Sequence, residues 1–174
     1  MADAPDGIVL RRHRDLEGRR WHVHVRRGLI AVVTIFLLAG LFNAFGQRPS
    51  GATASARGAT LKVYGPTRVR GGLMFEARFT ITAEREIRDA QLVLSQGWLE
   101  GMTINTIEPS PIGEASRNGS LALDLGRVPA GEQHVLYMQF QVNPTNVGRR
   151  SIDTQLQDGE RLLLTIHRTI TVFP

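Results

Sequence analysis

Residues 73–83, LMFEARFTITA, decide the fold class of this chain. Leu73, Phe75, Ala77, Phe79, Ile81 and Ala83 take successive odd positions, while Met74, Glu76, Arg78, Thr80 and Thr82 alternate with them. Side chains on a strand point to opposite faces in turn, so one face enters a core and the other meets water. A helix would scatter the same residues around its circumference. The pattern returns near the C-terminus, where Leu162, Leu164, Ile166, Ile170 and Val172 share a face opposite Leu163, Thr165, His167, Thr169 and Thr171. Arg168 is the single violation and reads as a bulge or a sheet edge.

Shorter runs between these two fit the same template: Leu61 to Tyr64, Ala90/Leu92/Leu94, Met102/Ile104, Leu121/Leu123/Leu125, His134 to Val142 and Ser151 to Gln157. Turn-forming pairs and triplets separate them, among them Gly71-Gly72, Asn118-Gly119, Pro129-Ala130-Gly131, Asn143-Pro144 and Asp158-Gly159. An Asp-Gly between alternating runs is a hairpin signal because both central residues need positive φ. About eight short strands at this spacing, with no amphipathic helix among them, predict an all-β, immunoglobulin-like two-sheet sandwich over residues 59–174. Seven of the aromatic residues fall there (Tyr64, Phe75, Phe79, Trp98, Tyr137, Phe140 and Phe173), enough for a core that folds without disulfides.

Leu121 to Pro144, LALDLGRVPAGEQHVLYMQFQVNP, resembles a segment of the bacterial immunoglobulin-like repeat domains of cell-surface proteins. The matching pieces are Leu125-Gly126, the turn Pro129-Ala130-Gly131-Glu132, and the alternating strand that runs to Val142. The likeness extends over roughly residues 73–157 and departs at Glu84-Arg85-Glu86, where those domains carry an Asn and Gly turn. The resemblance implies adhesion, spacing or partner binding, and it carries over no catalytic residue. The layout as a whole is similar to small single-pass membrane proteins of high-GC Gram-positive bacteria.

Ahead of the sandwich lies Gly28 to Gly46, GLIAVVTIFLLAGLFNAFG, in which only Thr34 and Asn43 are polar. Nineteen helical residues span roughly 28 Å, close to the ~30 Å hydrocarbon thickness. A core helix would show a polar residue at every third or fourth place. One transmembrane helix over residues 28–46 is therefore expected to precede the sandwich. Residues 1–27 hold seven arginines against four acids and form a basic cytoplasmic tail, which places the sandwich outside the cytoplasm. Trp21, Arg26 and Arg27 fall in the headgroup zone, where arginine gains from anionic lipid. Gly40 and Ala44, four apart, would let a second copy of the helix approach closely as a homodimer. Ala44-Phe45-Gly46 and Ala52-Thr53-Ala54 have cleavage-like spacing, and Arg26-Arg27-Gly28-Leu29-Ile30 has the twin-arginine shape; but the segment before the apolar run is long for a signal peptide. An uncleaved anchor is the main expectation and an exported, soluble sandwich the alternative. Residues 47–58, QRPSGATASARG, lack apolar periodicity and read as a flexible linker.

Composition removes several classes of chemistry. The chain has no cysteine, hence no disulfide, thiol nucleophile, Cys-ligated zinc or iron–sulfur cluster. Its net charge of +5 is concentrated in the tail, and residues 47–174 are close to neutral, which is not the footprint of a nucleic-acid-binding domain. His22 and His24 have no third ligand nearby. His134 and His167 have no Ser or Cys nucleophile in a recognisable motif. Asp153, Asp158 and Glu160 read as a solvated turn rather than a calcium loop. Arg70-Gly71-Gly72 lacks the lysine and the helix of a phosphate loop. No catalytic residue, cofactor or metal site is expected, and the chain is not read as an enzyme. The remaining candidates are partner contacts: Trp98 with Leu99 in a glycine-flanked loop, and Pro109 in Glu108-Pro109-Ser110-Pro111. Trp98 alternatively caps one end of the core. The expected partners are the lipid bilayer and an envelope protein, with a non-catalytic binding or accessory role at the cell membrane.

Overall fold

The structure, a computed structural model, describes residues 20–44 and 46–174; most of the basic tail lies outside them. Helix α1 runs Arg20–Leu41. It begins eight residues earlier than the apolar run and takes in Trp21 to Arg27. It also stops short of Gly46, for an identifiable reason: Asn43 adopts the left-handed conformation (φ 54°). Its amide donates to Gly40 O at 3.0 Å, and that of Ala44 donates to Ala39 O at 2.9 Å. Those two bonds form a Schellman closure, satisfying carbonyls that the last turn leaves free. Ala44 therefore lies beyond the helix, and the Gly40/Ala44 pair is not a stripe on one helical face.

The rest of the described chain is an immunoglobulin-like all-β sandwich. In chain order, its first strands are β1 (Pro49–Ala56), β2 (Ala59–Pro66), β3 (Arg68–Arg70), β4 (Met74–Ala83) and β5 (Ile87–Leu94). A single 3-10 turn, Gln96–Trp98, leads to β6 (Met102–Glu108), β7 (Gly113–Arg117), β8 (Ser120–Val128) and β9 (Gln133–Val142). Then come β10 (Gly148–Ser151), β11 (Thr154–Asp158), β12 (Arg161–Ile166) and β13 (Thr169–Phe173). One layer has the order β1-β2-β4-β9-β6, the other β12-β11-β5-β8-β7, and a small sheet has the order β10-β13-β3.

The alternation does what its spacing predicts from Phe75 to Ala83, while Leu73, read as a core residue, precedes β4 and is exposed. Strand β4 pairs with β9 without interruption from Met74↔Gln141 to Thr82↔Gln133, and Phe75, Ala77, Phe79, Ile81 and Ala83 are buried. Trp98, Phe79 and Phe140 form the middle of the core. The Trp98 ring lies 5.5 Å from Phe79, edge to face, and 5.1 Å from Phe140. The resemblance motifs also have a physical role here. Gly126 takes φ 71°, where the β5–β8 register shifts. Gly131, in the Pro129–Glu132 turn, takes φ 83° and donates to Ala83 O at 2.6 Å, closing the end of β4.

Three expectations need correction. Residues 49–56, within the stretch read as a flexible linker, are strand β1, paired with β2 from Pro49↔Pro66 to Ala56↔Ala59. Its composition hides it, because as an edge strand it half-buries only Ala52 and Ala54. The long C-terminal run is two strands rather than one: β12 joins a main layer and β13 the small sheet. A register shift at Leu156/Gln157 turns Leu162 outward and Leu163 inward.

Arg168, finally, marks no exposed edge. It sits at the break between β12 and β13, is 8% exposed, and points inward with the same parity as Ile166 and Ile170. Its guanidinium donates to Gly65 O at 2.9 Å, Ser50 O at 3.2 Å, Ser50 Oγ at 3.1 Å and Val63 O at 3.4 Å. The planar fork of arginine suits several carbonyls at once. Burial lowers its pKa. Farther along the same seam, Arg57 Nη1 donates to Leu162 O, so two arginines tie β1 and β2 to the opposite layer.

Candidate binding faces

Trp98 is held by the core and does not face a partner. It is 1% exposed, and its Nε1 donates to Thr154 Oγ1 at 3.2 Å. Thr154 is itself fully buried, so the bond ties the turn after β5 to the neighbouring strand β11. The glycine before it permits this position: a Cβ on Gly97 would fall 1.7 Å from Ser151 O. Leu99 is half-buried and Pro109 exposed. They lie at opposite ends of the seven-residue strand β6, roughly 20 Å apart, so no single loop cluster unites Trp98, Leu99 and Pro109.

Three other surfaces have definite geometry. At the end of the sandwich away from Pro49, the β1–β2, β4–β5 and β11–β12 turns border a cleft of about 270 Å³ lined by Arg57, Arg85, Glu86, Asp158 and Arg161. Glu86 is engaged by Arg127 at 2.5 Å, and Asp158 Oδ1 accepts the amides of Arg88 at 3.0 Å and Asp89 at 2.9 Å. On the outer face of the β1-containing layer, register sets Tyr64 beside Arg78 and Arg78 beside Tyr137. The Arg78 guanidinium lies 5.2 Å from the Tyr64 ring centroid, a cation–π contact.

The third surface is the small sheet. Its strands hold four arginines and no carboxylate. Arg149 pairs with Thr171 and Thr171 with Arg68, so these three form one cross-strand row; Arg70, beside Phe173, begins the next. Arg150 points the other way and donates to Glu100 O and to Asn146 Oδ1.

The titratable groups serve structure. Asp153 Oδ2 lies 3.1 Å from His167 Nδ1 beside the β12–β13 break, and Ser151 Oγ donates to Asp153 Oδ1 at 2.7 Å. Burial raises the Asp153 pKa, but the hydrogen bonds from Ser151 and His167, the His167 charge and the Arg168 backbone outweigh it, so the carboxyl stays below its ordinary value. Burial alone lowers His134, whose Nε2 has no hydrogen-bond partner. His22 and His24 lie on α1, where positions two apart point roughly 200° from each other and share no face. Among the described residues no group of three or more His, Asp or Glu side chains is placed to hold a metal. Trp21 is exposed, with its ring 4.3 Å from that of His22.

No protein-family model matches this chain, and no curated protein is similar to it in sequence. Solved structures are similar to this chain at low identity. The CARDB domain of the PF1109 protein from Pyrococcus furiosus, solved with di-metal ions, is 17% identical over 71% of this chain and 94% of its own, with a TM-score of 0.41. Spo0M, a sporulation control protein from Bacillus subtilis, is 14% identical over 70% of this chain and 51% of its own, with a TM-score of 0.40.

Proposed function

We propose that this chain is a single-pass membrane protein whose helix α1 anchors an extracytoplasmic β-sandwich with a non-catalytic binding or accessory role in the bacterial cell envelope. The observation that carries the anchor is the character of α1. The most apolar window of Trp21–Leu41 has a mean hydropathy of 1.7, and none of it is buried. Leu29, Val32, Ile35, Phe36 and Leu41 are each more than half exposed. A helix of a soluble protein would bury such a surface, and lipid is the solvent that suits it. The arginines ahead of the helix support a cytoplasmic N-terminus. A binding role is what the resemblance of Leu121 to Pro144 to cell-surface repeat domains implies, and its partner would be another envelope protein.

The sandwich draws its core from residues between Ala59 and Val172, so release as a soluble domain is the competing outcome. Cleavage after Ala54 would cut within β1; cleavage near Gln47 would leave every strand intact. Fractionation separates the two outcomes. An anchored chain sediments with membranes at full length, and protease added to spheroplasts digests the sandwich and spares the tail. A mature product starting near Gln47 in the medium overturns the anchor.

A further inference from the structure

We propose that the outward face of the small sheet, built from Arg68, Arg70 and Arg149 around Thr171, binds the phosphate groups of an anionic bilayer surface. This rests on the anchored topology proposed above. The charge distribution leads to it. Residues 47–174 carry 14 basic and 12 acidic side chains. Four of those arginines sit on the three short strands of the small sheet, which have no acid at all. Three of the four, Arg68, Arg70 and Arg149, face outward together, and the rest of residues 47–174 carries 11 basic and 12 acidic side chains.

The side chains are also available. Arg68, Arg70 and Arg149 are exposed, and none forms an ion pair with a described carboxylate. Arg70 spends only its Nε on Pro174 O, at 3.4 Å. Neighbouring strands set Arg149 and Arg68 roughly 5 Å to either side of Thr171, a spacing at which flexible guanidinium groups can reach separate phosphate oxygens. Beyond Arg70 the chain turns through two glycines and presents Leu73 and Met74 to solvent. A basic row bordered by exposed apolar side chains has the composition of an interfacial footprint.

The place where the chain enters the sandwich argues for a lipid surface rather than a soluble partner. The chain enters the sandwich directly beside β3, where Thr67 N donates to Arg48 O at 3.3 Å. Only seven residues separate the end of α1 from the start of β1, and fully extended they reach roughly 25 Å. Anionic headgroups attract basic side chains within about a Debye length of the surface, which is about 10 Å. A tether this short allows the small sheet to enter that zone.

The chain has no cysteine, so Thr171→Cys provides a unique reporter thiol within the row, and Glu132→Cys provides one at the far end of the sandwich. The full chain is reconstituted into vesicles of phosphatidylcholine alone or with phosphatidylglycerol, and labelled with an uncharged, membrane-impermeant maleimide. The expected result is that phosphatidylglycerol slows labelling at position 171 about tenfold or more and leaves position 132 unchanged. High salt or the triple change Arg68→Gln, Arg70→Gln and Arg149→Gln restores the rate. Equal labelling at position 171 in both vesicles overturns the proposal while the anchor stands, provided the chain floats with both. A chain that floats with neither overturns the anchor first. Inorganic phosphate that slows labelling in phosphatidylcholine vesicles as much as phosphatidylglycerol does would identify a free-phosphate site and overturn the lipid assignment.

Discussion

Trp98 Nε1, in the turn that follows β5, and Thr154 Oγ1, on the neighbouring strand β11, meet at 3.2 Å inside the sandwich, both residues excluded from water. Thr154→Val keeps the shape and removes the acceptor. An indole N–H left unpaired in a dry core costs about 1–3 kcal/mol. Urea unfolding should show that loss for Val and a smaller one for Thr154→Ser, which keeps the oxygen.

Gly97 has no room for a methyl group, because the Cβ would meet the Ser151 carbonyl at 1.7 Å. Gly97→Ala must therefore displace either the Trp98 turn or β10. A loss of about 3 kcal/mol is expected, read as a lower midpoint of thermal unfolding. Hydrogen exchange should quicken first over residues 95–102 and 148–152.

Arg168 donates to three backbone carbonyls of β1 and β2. Arg168→Met fills most of the volume but supplies no donor, and about 2–4 kcal/mol of stability should go with it. Arg168→Lys should recover little, since an ammonium cannot span the same acceptors. Exchange of the amides of residues 49–56 distinguishes detachment of β1 from general weakening.

Two acid transitions should be separable. Burial holds His134 below its ordinary 6.5, so the unfolded chain takes up that proton more readily than the folded one. Its contribution is complete above pH 6.5 and falls away as the pH drops from there toward the lower folded value. His134→Gln takes up no proton and should flatten the urea midpoint between about pH 7 and 5. Asp153 has an ordinary value of 3.8 and is held below it. The stability it supplies is present above 3.8 and is lost only as the pH falls through its lower folded value, and Asp153→Asn should abolish that later loss.

The parts of this fold legible in sequence are those whose side chains report burial directly. In β4 and β9, one face is apolar and the other polar, and both strands lie where the alternation puts them. Strand β1 has almost no such contrast, since PSGATASA offers the core only two alanine methyl groups. What recruits it is the open edge of β2, which local composition does not show. Arg168 was visible as an exception, and its parity was that of an inward-facing residue; its burial depends on carbonyls more than a hundred residues away in sequence. Trp98 in a loop fits a contact as well as a core plug until Thr154 and Phe140 are placed around it. The clustering of arginine on the small sheet depends on β3 joining β13 in parallel, a pairing between distant segments that periodicity cannot reveal.

Strand β1 has a mechanical consequence. Tension drawn through the chain ahead of Gly46 reaches the sandwich at Pro49, on an outermost strand whose antiparallel ladder opens like a zip, one rung at a time. Arg168 grips Ser50, the second residue of that strand, through both its carbonyl and its hydroxyl. The rivet sits at the loaded end, so a pull must break it before peeling can start.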